Sequence, residues 1–137
     1  MRKRNVLFLC TGNSARSQMG EGLLRRAAGD RFEIYSAGLE PKGMNPFTVQ
    51  VMDEIGIDVR SQWSKSVKEY MGRIFFHYVI TVCGDADESC PQALWANGGI
   101  KLHFPFDDPA ALVGTDEEKL ALFRRVRDEI DARLQRW

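Results

Sequence analysis

The sequence has no net charge and no long apolar segment. Its 19 basic side chains balance 19 acidic ones over 137 residues. This neutrality argues against nucleic acid or an anionic membrane as the main partner, because either would favour a basic surface. No apolar run approaches the roughly 20 residues of a membrane span, and the run behind the basic N-terminus covers only residues 6–10. We therefore expect a cytoplasmic protein without a signal peptide.

Cysteine and histidine are also scarce. The chain has three cysteines, Cys10, Cys83 and Cys90, and two histidines, His77 and His103. Because cytosolic thiols are kept reduced, we expect the cysteines to be catalytic, redox-active or buried rather than joined in structural disulfides. A metal site that combines Cys83 and Cys90 with a histidine is the weakest interpretation, because the close paired spacing of zinc motifs is missing.

Strand patterns recur along the chain. A nearly continuous apolar run at residues 5–9 is typical of a strand buried on both faces of a parallel sheet. Apolar, aromatic or β-branched residues predict three further strands, at residues 33–36, 75–82 and 101–104.

Helical patterns separate these strands. Three helices are predicted. The first covers residues 16–28, the second begins with Asn45 as its N-cap, and the third covers residues 115–137, where Thr115 and Glu118 form a capping box. Alternating strands and helices predict right-handed crossovers and therefore a parallel sheet with helices on both sides. The sequence thus predicts an α/β fold, with one domain over residues 1–137.

Reactive side chains follow three of the predicted strands. Cys10 ends the first strand, Cys83 ends the third, and Asp107 and Asp108 follow the fourth. In parallel sheets, ligands bind at the carboxyl ends of the strands, where the strand order reverses. We therefore expect these side chains to converge on one edge, with Asp108 or its neighbour Asp107 as a candidate acid.

The polar segment after the first strand has the features of an oxyanion site. Successive backbone N–H groups and a helix N-terminus bind anions, and the Arg16 guanidinium matches two oxygens of a tetrahedral oxyanion. The same positive field favours a thiolate at Cys10, to which the Ser17 hydroxyl can hydrogen-bond. The alternative is a buried cysteine beside a solvated arginine, but the strand–loop–helix context favours the site. The predicted oxyanion-binding residues are Thr11, Gly12, Asn13, Ser14, Ala15 and Arg16.

Two interpretations remain for the other cysteines, a redox pair or two inert buried thiols. Cys83 and Cys90 lie seven residues apart. A helix of that length would rise about 10 Å, whereas a disulfide needs Cα atoms within roughly 7 Å. A redox pair therefore predicts that the segment between them bends or unwinds on oxidation.

The segment from Cys10 to Gly22 resembles the signature of low-molecular-weight protein tyrosine phosphatases and of the arsenate reductases that share their fold. The similarity continues through residues 36–38, 81–87, 90–91 and 106–110. The resemblance implies a three-layer α/β/α fold with a four-stranded parallel sheet in the order 2-1-3-4.

The resemblance also implies the chemistry of a thioredoxin-coupled arsenate reductase. Cys10 would attack arsenate held by the loop and Arg16, while Asp108 protonates the departing oxygen. A disulfide would form between Cys10 and Cys83, move to Cys83 and Cys90, and be reduced by thioredoxin, glutaredoxin or a small thiol. No organic cofactor is required, and the chain is expected to act as a monomer.

A tyrosine phosphatase of the same fold is the main alternative. It would need the nucleophile, the arginine and the acid, but neither Cys83 nor Cys90. Such phosphatases usually carry an aromatic residue after Asp-Pro, where this chain has Ala110. These features favour the reductase, with residual phosphatase activity because phosphate and arsenate are alike in shape and charge. A non-catalytic anion-binding or redox-sensing module is a third interpretation, which steady arsenite production would exclude.

Some members of the resembling family bind a potassium ion near the loop. Asn13, Glu21 and Ser36 match that site, but an aspartate expected near Ser66 is missing. We therefore predict no metal here and expect the neighbouring Lys65 to supply the charge instead.

Overall fold

Four parallel strands form the sheet of this computed structural model, which describes residues 3–84 and 98–137. They are β1 (Arg4–Cys10), β2 (Phe32–Gly38), β3 (Tyr78–Thr81) and β4 (Ile100–His103). Their order is β2-β1-β3-β4, which confirms the predicted order. The central position of β1 explains its apolar sequence, because both of its faces are covered by the core.

Three α-helices accompany the sheet in the described ranges. They are α1 (Arg16–Ala28), α2 (Pro46–Asp53) and α3 (Asp116–Gln135). The predicted caps are confirmed: Asn45 Oδ1 accepts a hydrogen bond from Phe47 N over 2.9 Å, and Thr115 forms a capping box with Glu118. One face of α3 packs into the core, since Phe123, Val126, Ile130 and Leu134 are buried.

The two faces of the sheet are covered differently. Phe8 on β1 faces α1, where its ring lies against the backbone of Gly20. Ser36 on β2 pairs with Phe8 and therefore lies on the same face of the sheet. Because side chains alternate along a strand, the preceding residue, Tyr35, lies on the other face. There its ring packs against the rings of Tyr70 and Phe76, at centroid distances of 5.3 and 5.5 Å.

The third strand is shorter than the predicted span of residues 75–82. Phe75 and Phe76 carry the strand propensity that extended the prediction, but neither belongs to the β3 ladder. The carbonyl of Phe75 instead accepts a hydrogen bond from Asn5 Nδ2 over 2.8 Å, and Phe76 is fully buried in the aromatic cluster. Side-chain packing therefore accounts for these residues where strand pairing was expected.

No helix in the described ranges is both long and apolar enough to cross a membrane. Cys90 and the segment between it and Gly84 lie outside the described residues. The predicted bending of that segment therefore stays a prediction.

Candidate active site

Cys10 ends β1 at the carboxyl edge of the sheet, and two groups are directed at its sulfur. The backbone N–H of Asn13 donates to Cys10 Sγ over 3.1 Å, and Ser17 Oγ lies 2.8 Å from the same atom. The thiol is 3% exposed, so these groups stand in for most of its solvation. Both groups can donate a hydrogen bond to negative charge on the sulfur.

The loop at residues 11–15 is fixed by the buried side chain of Asn13. The backbone of Asn13 has a φ of 48°, in the left-handed region. Its Nδ2 group donates to Ser17 Oγ over 2.8 Å and to Ser36 Oγ over 3.0 Å. Its Oδ1 atom accepts from the backbone N–H of Lys65 over 3.0 Å, and its carbonyl accepts from Gln18 Nε2. These four contacts hold a conformation that residues other than glycine rarely adopt.

The end of β2 packs directly under the loop. A Cβ atom at Gly38 would lie 2.7 Å from Thr11 O and 3.0 Å from Asn13 N. The following residues bind the loop through their backbone, since Leu39 N donates to Cys10 O and Glu40 N donates to Thr11 O. Only glycine at position 38 permits this approach.

An open cavity of about 630 Å³ lies over the loop. Helix α1 begins below it without a side-chain cap, so its first N–H groups are directed toward the space that an anion would occupy. Arg16 Nη1 donates to Phe106 O over 3.0 Å, which holds the guanidinium at the cavity wall. The lining residues are Cys10, Thr11, Gly12, Ser14, Ala15, Arg16, Lys42, Cys83, Gly84, Asp108, Ala110 and Ala111.

Cys83 follows β3 and reaches the same cavity as Cys10. Its Sγ atom lies 3.4 Å from the Oγ1 atom of Thr11, the residue after Cys10. Both sulfurs are buried, and no disulfide joins them. The structure therefore brings two of the three cysteines to one cavity, while Cys90 lies outside the described residues.

The two candidate acids point in different directions. The Asp108 carboxylate lines the cavity, accepts from Ala110 N over 3.0 Å and lies 3.6 Å from Arg16 Nη2. The Asp107 carboxylate instead pairs with Arg125 Nη2 over 2.6 Å. The geometry thus favours Asp108 as the group that can reach a bound oxyanion.

Lys65 takes the position at which the family pattern suggested a potassium ion. Its Nζ atom lies 3.4 Å from Asn13 Oδ1, 3.1 Å from Ser36 Oγ and 3.7 Å from Glu21 Oε1. It also donates to the carbonyl of Trp63 over 2.7 Å. Burial lowers the pKa of Lys65, while the charge of Glu21 opposes that shift. The oxygen atoms that matched the potassium site therefore surround an ammonium group, and the residues present do not fit an additional cation.

The two histidines make contacts between strands and away from the cavity. His77 Nδ1 accepts from Asn5 N over 2.9 Å, and His103 Nδ1 lies 2.8 Å from Thr81 Oγ1. Within residues 3–84 and 98–137, no group of three or more His, Cys, Asp or Glu side chains is arranged to hold a metal ion.

Lys42 is a site residue that the sequence analysis missed. Its side chain passes close to Gly12, and its backbone N–H donates to Gly12 O over 2.9 Å. It lines the cavity and adds a second positive charge to that of Arg16. The available signal was its place just after β2, at the same sheet edge as Cys10.

The chain matches the low molecular weight phosphotyrosine protein phosphatase family over residues 5–137. An arsenate reductase of Halalkalibacterium halodurans is 47% identical over 135 residues, which cover 98% of this chain and 95% of the relative. A solved structure of an arsenate reductase in the oxidized state has a TM-score of 0.81 and 26% identity, and the match covers 97% of this chain and 95% of that one. For the thioredoxin-dependent arsenate reductase of Corynebacterium glutamicum, the TM-score is 0.72 and the identity 28%, over 98% of this chain and 59% of that one.

Proposed function

Because the chain belongs to the low molecular weight phosphotyrosine protein phosphatase family, we propose that it reduces arsenate to arsenite. The relative at 47% identity, an arsenate reductase, supports this assignment. The observation that carries it is the shared cavity of Cys10 and Cys83. A phosphatase needs one nucleophilic sulfur, whereas reduction of arsenic by two electrons needs a second thiol to form a disulfide.

The first step forms a bond between Cys10 and arsenic. The loop N–H groups and Arg16 hold the arsenate oxygens, and the Cys10 thiolate attacks As(V). Asp108 donates a proton to the departing oxygen, which leaves as water. One As–O bond is replaced by an As–S bond, so arsenic is still As(V) after this step.

The second step transfers the electrons. The Cys83 thiolate attacks Cys10 Sγ, and the As–S bond breaks with its electron pair staying on arsenic. Arsenic leaves as arsenite, and Cys10 and Cys83 are joined in a disulfide. The contact of Cys83 with Thr11, next to Cys10, supports this order of attack.

The third step restores the nucleophile. The Cys90 thiolate attacks Cys83 Sγ, which releases the Cys10 thiolate and leaves a disulfide between Cys83 and Cys90. A thioredoxin dithiol in the cytoplasm then reduces this disulfide and is itself oxidised. The similarity to a thioredoxin-dependent relative supports thioredoxin over glutaredoxin or a small thiol as the donor.

The relay is tested by arsenate-dependent NADPH oxidation with thioredoxin and thioredoxin reductase. Wild type should turn over steadily, while Cys83→Ser and Cys90→Ser should fall to the background rate. Hydrolysis of p-nitrophenyl phosphate serves as the matched control, since it needs neither of these cysteines and should persist in both variants. Absence of arsenate turnover in wild type, together with unchanged phosphate ester hydrolysis, would overturn the reductase assignment in favour of a phosphatase.

The acid is tested with a matched pair of neighbours. Asp108→Asn keeps an oxygen that can accept from Ala110 N but removes the proton donor, so kcat should fall about a hundredfold. Asp107→Asn alters a carboxylate paired with Arg125 outside the cavity and should leave kcat near the wild-type value. Equal losses in the two variants would argue against Asp108 as the acid.

A residual phosphatase activity is a second candidate function. The loop, Arg16 and Asp108 suffice for phosphate transfer to Cys10, because phosphate and arsenate are alike in charge and shape. Ala110 lines the cavity where phosphatases of this family usually carry an aromatic residue. We therefore propose weak hydrolysis of aryl phosphates, with a high KM because no ring stacks on the substrate.

A further inference from the structure

Lys65 is a buried cation that the proposed reaction does not use. Its side chain is 3% exposed. Lysine is almost never buried this fully unless it is paired, because removing an ammonium group from water is costly. Here oxygen atoms from four residues surround Nζ, at 2.7 to 3.7 Å, supplied by Asn13, Glu21, Ser36 and Trp63.

The contacts of Lys65 determine how the Asn13 amide is oriented. Both the backbone N–H and the Nζ atom of Lys65 lie within hydrogen-bond distance of Asn13 Oδ1, at 3.0 and 3.4 Å. With the oxygen held there, the Nδ2 group faces Ser17 and Ser36. A reversed amide would direct Nδ2 at the ammonium group, where two donors repel each other.

The amide orientation in turn decides which way the Ser17 hydroxyl points. Ser17 Oγ accepts a hydrogen bond from Asn13 Nδ2 and lies 2.8 Å from Cys10 Sγ. Because the Ser17 oxygen accepts from the Asn13 amide, its own hydroxyl proton is available to the Cys10 sulfur. A line of contacts therefore runs from the Lys65 ammonium through Asn13 and Ser17 to the nucleophile.

A metal ion and the ammonium group exclude each other at this position. An ion bound to the oxygens that surround Nζ would have to occupy nearly the same space, and two positive charges that close together in a buried site repel strongly. The carboxylate that contacts Nζ, Glu21, pairs through its other oxygen with Arg25 Nη2 over 2.6 Å. The site thus holds one positive charge beyond Arg25, and Lys65 supplies it.

We propose that Lys65 is a covalently attached substitute for an alkali cation, and that it positions the oxyanion loop through Asn13 without requiring potassium. Lys65 is a positioning residue, because it acts on Cys10 through Asn13 and Ser17. Its effect on arsenate turnover rests on the proposed function, whereas its effect on the loop does not. Two readouts that need no arsenate can therefore separate the two proposals.

The test uses three variants of matched size or position. Lys65→Ala leaves a space lined by oxygen atoms, whereas Lys65→Met fills most of that space with an apolar chain of similar length. Lys68→Met is the control, because Lys68 is exposed and only three residues away. All are made in a chain whose Cys83 and Cys90 are replaced by serine, so that iodoacetamide reports on Cys10 alone.

Two rates are measured in sodium, potassium and ammonium chloride at equal ionic strength. They are the alkylation rate of Cys10 at neutral pH and its slowing by inorganic phosphate. Wild type and Lys68→Met should behave alike in the three salts. Lys65→Ala should react about tenfold more slowly in sodium chloride and recover in potassium or ammonium chloride. Lys65→Met should be equally slow and should not recover in any salt.

Three outcomes would overturn the proposal. They are a wild-type rate that rises with potassium, a Lys65→Met rate equal to that of Lys68→Met, and a Lys65→Ala rate that no cation restores. The wild-type comparison needs no variant, so the proposal stays open to refutation even if Lys65→Ala folds poorly. If arsenate is not reduced while the alkylation results hold, the proposed function fails and the role of Lys65 stands.

Discussion

The backbone amide of Asn13 donates a hydrogen bond to Cys10 Sγ over 3.1 Å, from a residue held at a φ of 48°. Such a conformation costs about 1 kcal/mol or more in a residue other than glycine and persists only where the surroundings determine it. Here contacts with Ser17, Ser36 and Lys65 do so. The shape of the loop and the environment of the sulfur therefore depend on one side chain.

Ser17→Ala should slow the reaction of Cys10 with electrophiles. The variant removes a hydrogen bond to a charged sulfur, which corresponds to about a tenfold or greater loss of thiolate reactivity at neutral pH. The measurement is the alkylation rate against pH, with the other two cysteines replaced by serine. Ser61→Ala, at an exposed position, is the control and should match wild type. Equal rates in the two variants would show that the hydroxyl does not stabilise the thiolate.

Gly38→Ala should disturb the loop from below. The added methyl group would lie 2.7 Å from Thr11 O, so the backbone of the loop or of β2 must shift. We expect a loss of about 1–3 kcal/mol in the free energy of unfolding and weaker protection of Cys10 by phosphate. Denaturant unfolding and alkylation measure the two effects.

Gly114→Ala is the matched control for this substitution. The atoms nearest to its new methyl group would be those of the Glu118 carboxyl group, at 3.3 Å, and the end of a flexible side chain moves more readily than backbone. A Gly38→Ala protein as stable and as well protected by phosphate as Gly114→Ala would contradict the close packing of β2 against the loop.

Lys42→Met should weaken substrate capture with little effect on the chemical steps. Lys42 adds positive charge at the cavity, and its side chain makes no hydrogen bond to the described loop residues 11–15, so its contribution is electrostatic attraction of the oxyanion. We expect KM for arsenate to rise severalfold, roughly, while kcat changes less than about twofold. The salt dependence of kcat/KM should also become weaker, because one of the charges that salt screens has been removed. Lys68→Met is the control. A fall in kcat with unchanged KM would instead place Lys42 in the chemistry.

The stability conferred by Glu54 should depend on pH. Hydrogen bonds from Arg124 and then Arg127 outweigh desolvation and lower the pKa of Glu54 below 4.5. A carboxylate whose pKa is lower in the folded state stabilises the fold at pH values above its pKa in the unfolded state. This contribution is lost as the pH falls through its pKa in the folded state. Wild type should therefore be more stable than Glu54→Gln at pH 7, and the difference should narrow below about pH 4.5. Urea unfolding over that range measures it, with Glu40→Gln as the exposed control; a constant difference would refute the linkage.

Local sequence signals predicted those elements whose formation depends on neighbouring residues. Asn45 and Thr115 begin helices because their side chains accept hydrogen bonds from the next turn, an interaction that needs only neighbouring residues. The sheet order followed from a resemblance that spans nearly the whole chain. The oxyanion loop was predicted because strand, loop and helix occur in the required order.

Contacts between distant residues could not be predicted in the same way. Lys65 reaches Asn13, Ser36 and Glu21 across 52, 29 and 44 positions of sequence, and nothing local distinguishes it from an exposed lysine. Its nearness to a missing aspartate was the one available signal. The third strand was predicted too long for the opposite reason. The local strand propensity of Phe75 and Phe76 is strong, but the Phe75 carbonyl accepts from the Asn5 side chain and the Phe76 ring is buried in the core.

The register between β1 and β3 has a consequence for electron transfer. Leu9 pairs with Thr81, so Cys10 and Cys83 extend past the ladder from a fixed alignment. A slip of a single residue would move one sulfur by about 3.3 Å along the strand and turn it to the opposite face. The gap that the proposed disulfide must close is therefore set by main-chain hydrogen bonds in the middle of the protein. Substitutions that loosen those strands would alter the redox behaviour of the chain without touching a thiol.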